Sequence, residues 1–172
     1  RGLVDYLPQD VTTTSATVAE LLGIDHIREA LRAVEAGSVD QADFDRIGDN
    51  WDIESRAVAA LAALRLPSDL DRTVSELSGG EAMLTAITGV RLRGADIALL
   101  DEPTNNLDRS ARERLYDLVR TWPGTLIVVS HDLELLDLLE ETAELRAGSL
   151  TIFGGNYTDY RDWLTVQQAA AE

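Results

Sequence analysis

Asp101 and Glu102 stand side by side at the end of an apolar run, Ile97-Ala-Leu-Leu, and lead into Pro103-Thr-Asn-Asn-Leu-Asp108. A buried strand ends this way when it delivers acids to a Mg²⁺-nucleotide at its carboxyl end. Neighbouring residues of an extended strand face opposite ways, so both carboxylates can serve one site only if the strand stops between them. Taken alone, Asp-Glu-Pro reads equally well as an acidic strand terminus facing solvent. Upstream lies Leu77-Ser-Gly-Gly-Glu81. As local structure this is a capping box, with Ser78 at the N-cap and Glu81 at N3. It also opens a helix without side-chain bulk, where backbone N–H groups can receive an anion. Downstream, Val128-Val-Ser-His-Asp132 places His131 after an apolar strand and a serine. An isolated histidine there reads first as a satisfied core residue, and Asp132 reads as a helix N-cap.

The elements needed to hold these groups are legible in the pattern. Leu3 to Leu7 is strand-like. Thr17-Val-Ala-Glu20 is a second capping box and opens a helix through Leu22. Ile27 to Ala36, Val39 to Asn50 and Asp52 to Leu66 carry apolar residues at helical spacing, and Pro67 breaks the last of them. A helix follows Leu77 as far as about Arg93. Ile97 to Asp101 and Thr125 to Ser130 read as buried strands, separated by an amphipathic helix from Arg109 to Trp122. Leu133 to Glu140 is expected to be a short helix. Thr142 to Arg146 and Ser149 to Phe153 flank Ala147-Gly148 as a hairpin, and Tyr157 to the end is helical. Strands alternating with helices predict an α/β fold with a mostly parallel sheet.

Taken together and in this order, the three segments resemble the ATP-binding-cassette (ABC) ATPases, and the resemblance covers nearly the whole chain. It implies a P-loop-NTPase-type sheet with an all-helical lobe inserted at 17–76. Residues 1–16 and 77–156 would form the ATPase core, and 157–172 the start of an inter-domain linker. It implies ATP and Mg²⁺ as ligands. Asp101 would hold the Mg²⁺ shell, with Gln9 of the Q-loop reaching the metal and the water. Glu102 would act as general base, and His131 would bond the γ-phosphate. Ser78, Gly79, Gly80 and Glu81 would form the signature segment facing nucleotide held by a second cassette. Asp108 would couple the two nucleotide sites. Glutamine is usual where this chain has Glu81. Phe153-Gly-Gly-Asn-Tyr-Thr-Asp-Tyr160, together with Glu102-Pro-Thr-Asn-Asn-Leu-Asp108, resembles the first cassette of ABC-F proteins. Those proteins carry two cassettes on one chain and act on ribosomes, as translation factors or antibiotic-resistance proteins.

The family's phosphate-binding loop needs a lysine. This sequence has none, so the chain reads as a fragment that lacks the loop. The alternatives are a transporter subunit, whose partner would be a membrane permease, and a non-catalytic module derived from a cassette. No apolar run approaches the roughly 20 residues that cross a bilayer, so no direct membrane insertion is expected. The net charge of −16 opposes unaided binding to a phosphate backbone. With no cysteine, disulfides, Cys-based zinc sites and a Cys nucleophile are excluded. That composition fits a cytoplasmic protein.

Overall fold

The computed structural model describes residues 2–7 and 15–171. Three strands, β1 (Val4–Leu7), β2 (Ile97–Asp101) and β3 (Thr125–Val129), form one parallel sheet in the order β1-β2-β3. Parallel neighbours require long crossovers. Between β1 and β2 run α1 (Val18–Leu22), α2 (Asp25–Glu35), α3 (Gln41–Ile47), α4 (Ile53–Ala63) and α5 (Gly79–Arg93). Between β2 and β3 runs α6 (Arg109–Arg120). After β3 come α7 (Leu133–Leu136), the antiparallel hairpin of β4 (Thr142–Arg146) and β5 (Ser149–Phe153), and α8 (Tyr157–Ala171). The fold is thus α/β with a parallel sheet, as the pattern of elements predicts. α7 is shorter than expected and stops at Leu136.

The centre of the molecule is α5. Every residue from Met83 to Val90 is buried, because the helix is enclosed by the sheet on one side and by α1 and α4 on the other. Leu84 and Ile87 share one apolar cluster with Leu22, Ile53 and Leu61 of the inserted helices and with Leu100 of the sheet. Gly89 lets α1 approach. A Cβ there would sit 2.6 Å from the Leu22 carbonyl oxygen and 2.8 Å from its Cα. Arg93, at the end of α5, spans the same seam. It donates to the Leu22 carbonyl at 2.7 Å and to the Asp5 carboxylate on β1 at 2.7 Å.

The inserted helices are clamped by Arg28, a buried cation on α2. It donates to Glu54 at 2.5 Å and to both oxygens of Asp71 at 3.0 and 3.3 Å. Burial works against the Arg28 charge, and its bonds to Asp71 and Glu54 outweigh that and raise its pKa. The same bonds from Arg28 hold the Asp71 carboxyl below its usual range. A depressed carboxylate pKa contributes stability above the unfolded pKa near 4 and loses it as pH falls through the folded value. Asp71→Asn should therefore remove part of the acid sensitivity below about pH 4. Unfolding midpoints compared between neutral and acid pH check this; an unchanged pH profile in the variant would contradict it.

The strands differ from the expectation in one respect. β2 is only half-buried and β3 has no fully buried residue. The register gives the reason. Residues paired across parallel strands share a face, so Val4, Ile97 and Thr125 lie together, as do Tyr6, Leu99 and Ile127, and Asp101 and Val129. The opposite face, with Leu7, Ala98 and Leu100, packs inward. On the outer face Ile127 is 46% and Val129 55% exposed. Apolar strands open on one side invite association. The 172-residue chain is expected to self-associate with rising concentration in light scattering; a strictly monomeric species at high concentration would count against this.

Candidate nucleotide site

Asp101 is the last residue of β2 and lies on the open face. Its carboxylate accepts a hydrogen bond from the Tyr6 hydroxyl of β1 at 3.2 Å. Desolvation, and then this bond to Asp101, raise the Tyr6 pKa. Glu102 leaves the strand at once. Its backbone takes φ 46°, in the left-handed region, although its N–H still reaches the Val129 carbonyl at 2.8 Å. A non-glycine residue pays about 1–2 kcal/mol for that conformation. The turn brings the Glu102 carboxylate to the carboxyl end of the sheet, where its Oε1 lies 3.4 Å from Nε2 of His131. The Glu102 side chain is 14% exposed and that of His131 98%. His131 is therefore not a core histidine: it projects from the β3 end with Glu102 as its contact.

The residues beside His131 are tied down more firmly than the imidazole. The Asp132 carboxylate, 8% exposed, caps α7 by accepting from the Leu135 N–H at 3.2 Å. It also accepts from the Tyr116 hydroxyl at 2.8 Å and lies 3.6 Å from the Arg112 guanidinium. Burial, and then the Asp132 hydrogen bond, push the Tyr116 hydroxyl up to about 12. The Asp132 N–H donates to Ser130 Oγ at 3.0 Å, which is 3.4 Å from Thr104 Oγ1. Thr104 belongs to the segment after Glu102, so the β2 and β3 ends are cross-linked.

The signature segment lies at the N-terminus of α5. Both bonds of the Ser78 capping box are present, with Glu81 accepting from the Ser78 N–H at 2.8 Å. The extra carboxylate at Glu81 is thereby folded back on its own N-cap. A Cβ on Gly79 would meet nothing within 4 Å, whereas one on Gly80 would touch Ala111 and Leu107 of the α6 entry. Asp108 caps α6 and accepts from the Ala111 N–H at 2.7 Å. Ser78 to Glu81 and Asp108 thus lie near each other. Among the described residues, no hydrogen bond or ion pair joins them to Glu102 or His131. Gln9 lies outside the described residues.

The donor set fits a Mg²⁺-nucleotide in one respect that geometry can test. Mg²⁺ in phosphate sites is held by one or two carboxylates, with phosphate oxygens and water completing the octahedron, and a single strand-end Asp101 matches that. Sequence reasoning missed Tyr6, Tyr116, Thr104 and Ser130. Tyr116 has no signal of its own, because it reads as one more apolar position on the α6 stripe.

A family model described as "ABC transporter" matches residues 1–105. The chain belongs to the ATP-binding-cassette family. Within it, the chain is 37% identical over 144 residues to the energy-dependent translational throttle protein EttA of Mycobacterium tuberculosis, covering 83% of this chain and 25% of that protein. ABC transporter F family member 5 of Arabidopsis thaliana is 31% identical over 166 residues, covering 85% of this chain and 24% of the relative. Among solved structures, the archaeal ribosome recycling factor aABCE1, determined in complex with the ribosomal stalk protein aP1, superposes with a TM-score of 0.60. It is 27% identical, over 96% of this chain and 30% of that one. The chain resembles ABC-F proteins in particular and spans about a quarter of the length of such relatives. Among the described residues no helix is long and apolar enough to cross a membrane.

Proposed function

We propose that this chain is part of an ABC-F cassette that hydrolyses ATP to ADP and phosphate, in the cytoplasm, in a protein that works on the ribosome. The observation that carries the reading is the meeting of Glu102 and His131 at 3.4 Å where β2 delivers Asp101. Mg²⁺, when bound, would neutralise charge on the phosphates of ATP. Asp101 would hold the metal, and the resemblance assigns Gln9, outside the described residues, to the same metal and the water. Glu102 accepts the proton of the attacking water as its oxygen adds to the γ-phosphorus and the bond to the bridging oxygen breaks. His131 donates to a γ-phosphate oxygen and is oriented by Glu102.

The α5 N-terminus serves nucleotide on a second cassette arranged head to tail. Its capping box uses the N–H groups of Ser78 and Glu81. The N–H groups of Gly79 and Gly80 remain for phosphate, with no Cβ in the way at Gly79. Glu81 supports the segment by capping it, and Asp108 relays closure through α6. With no phosphate-binding lysine, this chain alone is expected to bind ATP poorly.

The ribosomal part of the reading rests on the likeness to EttA and the ABC-F member, and it is tested by co-sedimentation. The full-length natural protein carrying Glu102→Gln should pellet with ribosomes when Mg-ATP is present and stay in the supernatant with ADP. Nucleotide-independent absence from the pellet would contradict the ribosomal role. Recovery with a permease instead would point to a transporter subunit.

A further inference from the structure

The His131 side chain is 98% exposed, and its imidazole touches only the Glu102 carboxylate among the described ion pairs and hydrogen bonds. Something other than the imidazole must fix its direction. The residues on either side of it are both held, Ser130 through Thr104 and Asp132 through α6. Of the groups that hold them, the Tyr116 hydroxyl makes the shortest bond, 2.8 Å to Asp132 Oδ2. Tyr116 itself is buried on α6, the helix that Asp108 caps. Its ring is anchored by the core and its hydroxyl reaches the turn that carries His131.

We infer that Tyr116 is a positioning residue: its hydroxyl, through the Asp132 carboxylate, sets the direction of the His131 imidazole toward Glu102. Among the side-chain bonds that hold this turn, the one from Tyr116 ties it to α6, so a shift of α6 is transmitted to His131. Small misplacement of a catalytic group costs far more rate than stability. The ion pair between Asp132 and Arg112 does less of this work. At 3.6 Å to a half-exposed guanidinium it lacks the direction of a hydrogen bond. This inference rests on the proposed catalytic reading for its kinetic consequence, but not for its structural one.

The test uses Tyr116→Phe, which keeps the ring in the core and removes only the hydroxyl. Arg112→Gln is the control, because it removes the charge facing Asp132 and leaves the Tyr116 hydroxyl bond to Asp132 in place. Imidazole NMR signals are recorded on the full-length protein, and those of His131 and His26 are assigned by His131→Gln and His26→Gln. In Tyr116→Phe the His131 signal should move away from its wild-type position and lose its cross-peaks to Glu102, while the His26 signal stays. In Arg112→Gln both should remain near wild type. In the full-length protein, Tyr116→Phe should lower kcat about tenfold with KM for ATP held within a factor of two, and Arg112→Gln should keep most of the rate. An unmoved His131 signal in Tyr116→Phe overturns the inference. So does a loss of rate accompanied by a matching loss of thermal stability, which would make Tyr116 a core residue only. If wild-type full-length protein shows no ATP turnover, the catalytic reading fails, and the NMR comparison still decides the positioning claim.

Discussion

Replacing Gly89 with valine is expected to destabilise the chain by about 3 kcal/mol or more. The added Cβ would meet three backbone atoms of Leu22, all within 2.9 Å, and backbone cannot rotate away as a side chain can. Either α1 must lift from α5 or α5 must bend. Lifting α1 also separates the Leu22 carbonyl from Arg93, whose other bond holds Asp5 of β1. The seam between the inserted helices and the sheet would thus open at three points together. Thermal melts should show a midpoint lower by roughly 10 °C, given about 2–4 °C per kcal/mol at this size. Gly79→Ala is the control. Its Cβ would enter open space, so stability should change by less than about 1 kcal/mol. Equal effects at the two glycines would mean the α1–α5 approach is not as close as described.

The second large effect is on chemistry. Glu102→Gln keeps the shape of the side chain and the left-handed backbone, and the amide oxygen can still face the His131 imidazole. What it loses is the basicity needed to take a proton from water. A general base of this kind contributes about 10²–10⁴-fold. Turnover by the full-length protein should fall within that range, while affinity for Mg-ATP stays within a few-fold of wild type. A drop in affinity equal to the drop in turnover would instead place Glu102 in ground-state binding.

How far the sequence carried depended on the range of the interactions. Strand ends, caps and turns are local, and they were readable. Ser78 with Glu81, Thr17 with Glu20, and Asp132 as an N-cap each follow from residues a few positions apart. The end of β2 at Asp101 follows from the requirement that two adjacent acids serve one place. The fold class followed from strand–helix alternation, and the family from three motifs in order. The long-range contacts were not readable. Arg28 finds Asp71 across 43 positions, Arg93 finds Asp5 across 88, and Tyr6 finds Asp101 across 95. Nothing in the neighbourhood of Tyr116 marks it as the residue that reaches the His131 turn. The burial of β3 was misjudged for a related reason. Its apolar run is the right composition for a two-sided strand, but composition does not say which elements cover each face.

The measurement that bears most directly on the central claim is phosphate release from saturating Mg-ATP by the full-length protein, with bound nucleotide counted in the same samples. Wild type, Glu102→Gln and His131→Ala are compared. Wild type should release phosphate, and release should fall at least about a hundredfold in Glu102→Gln, with nucleotide still bound. His131→Ala should give an intermediate loss. Release by Glu102→Gln at a rate near that of wild type would show that Glu102 is not the base that activates water.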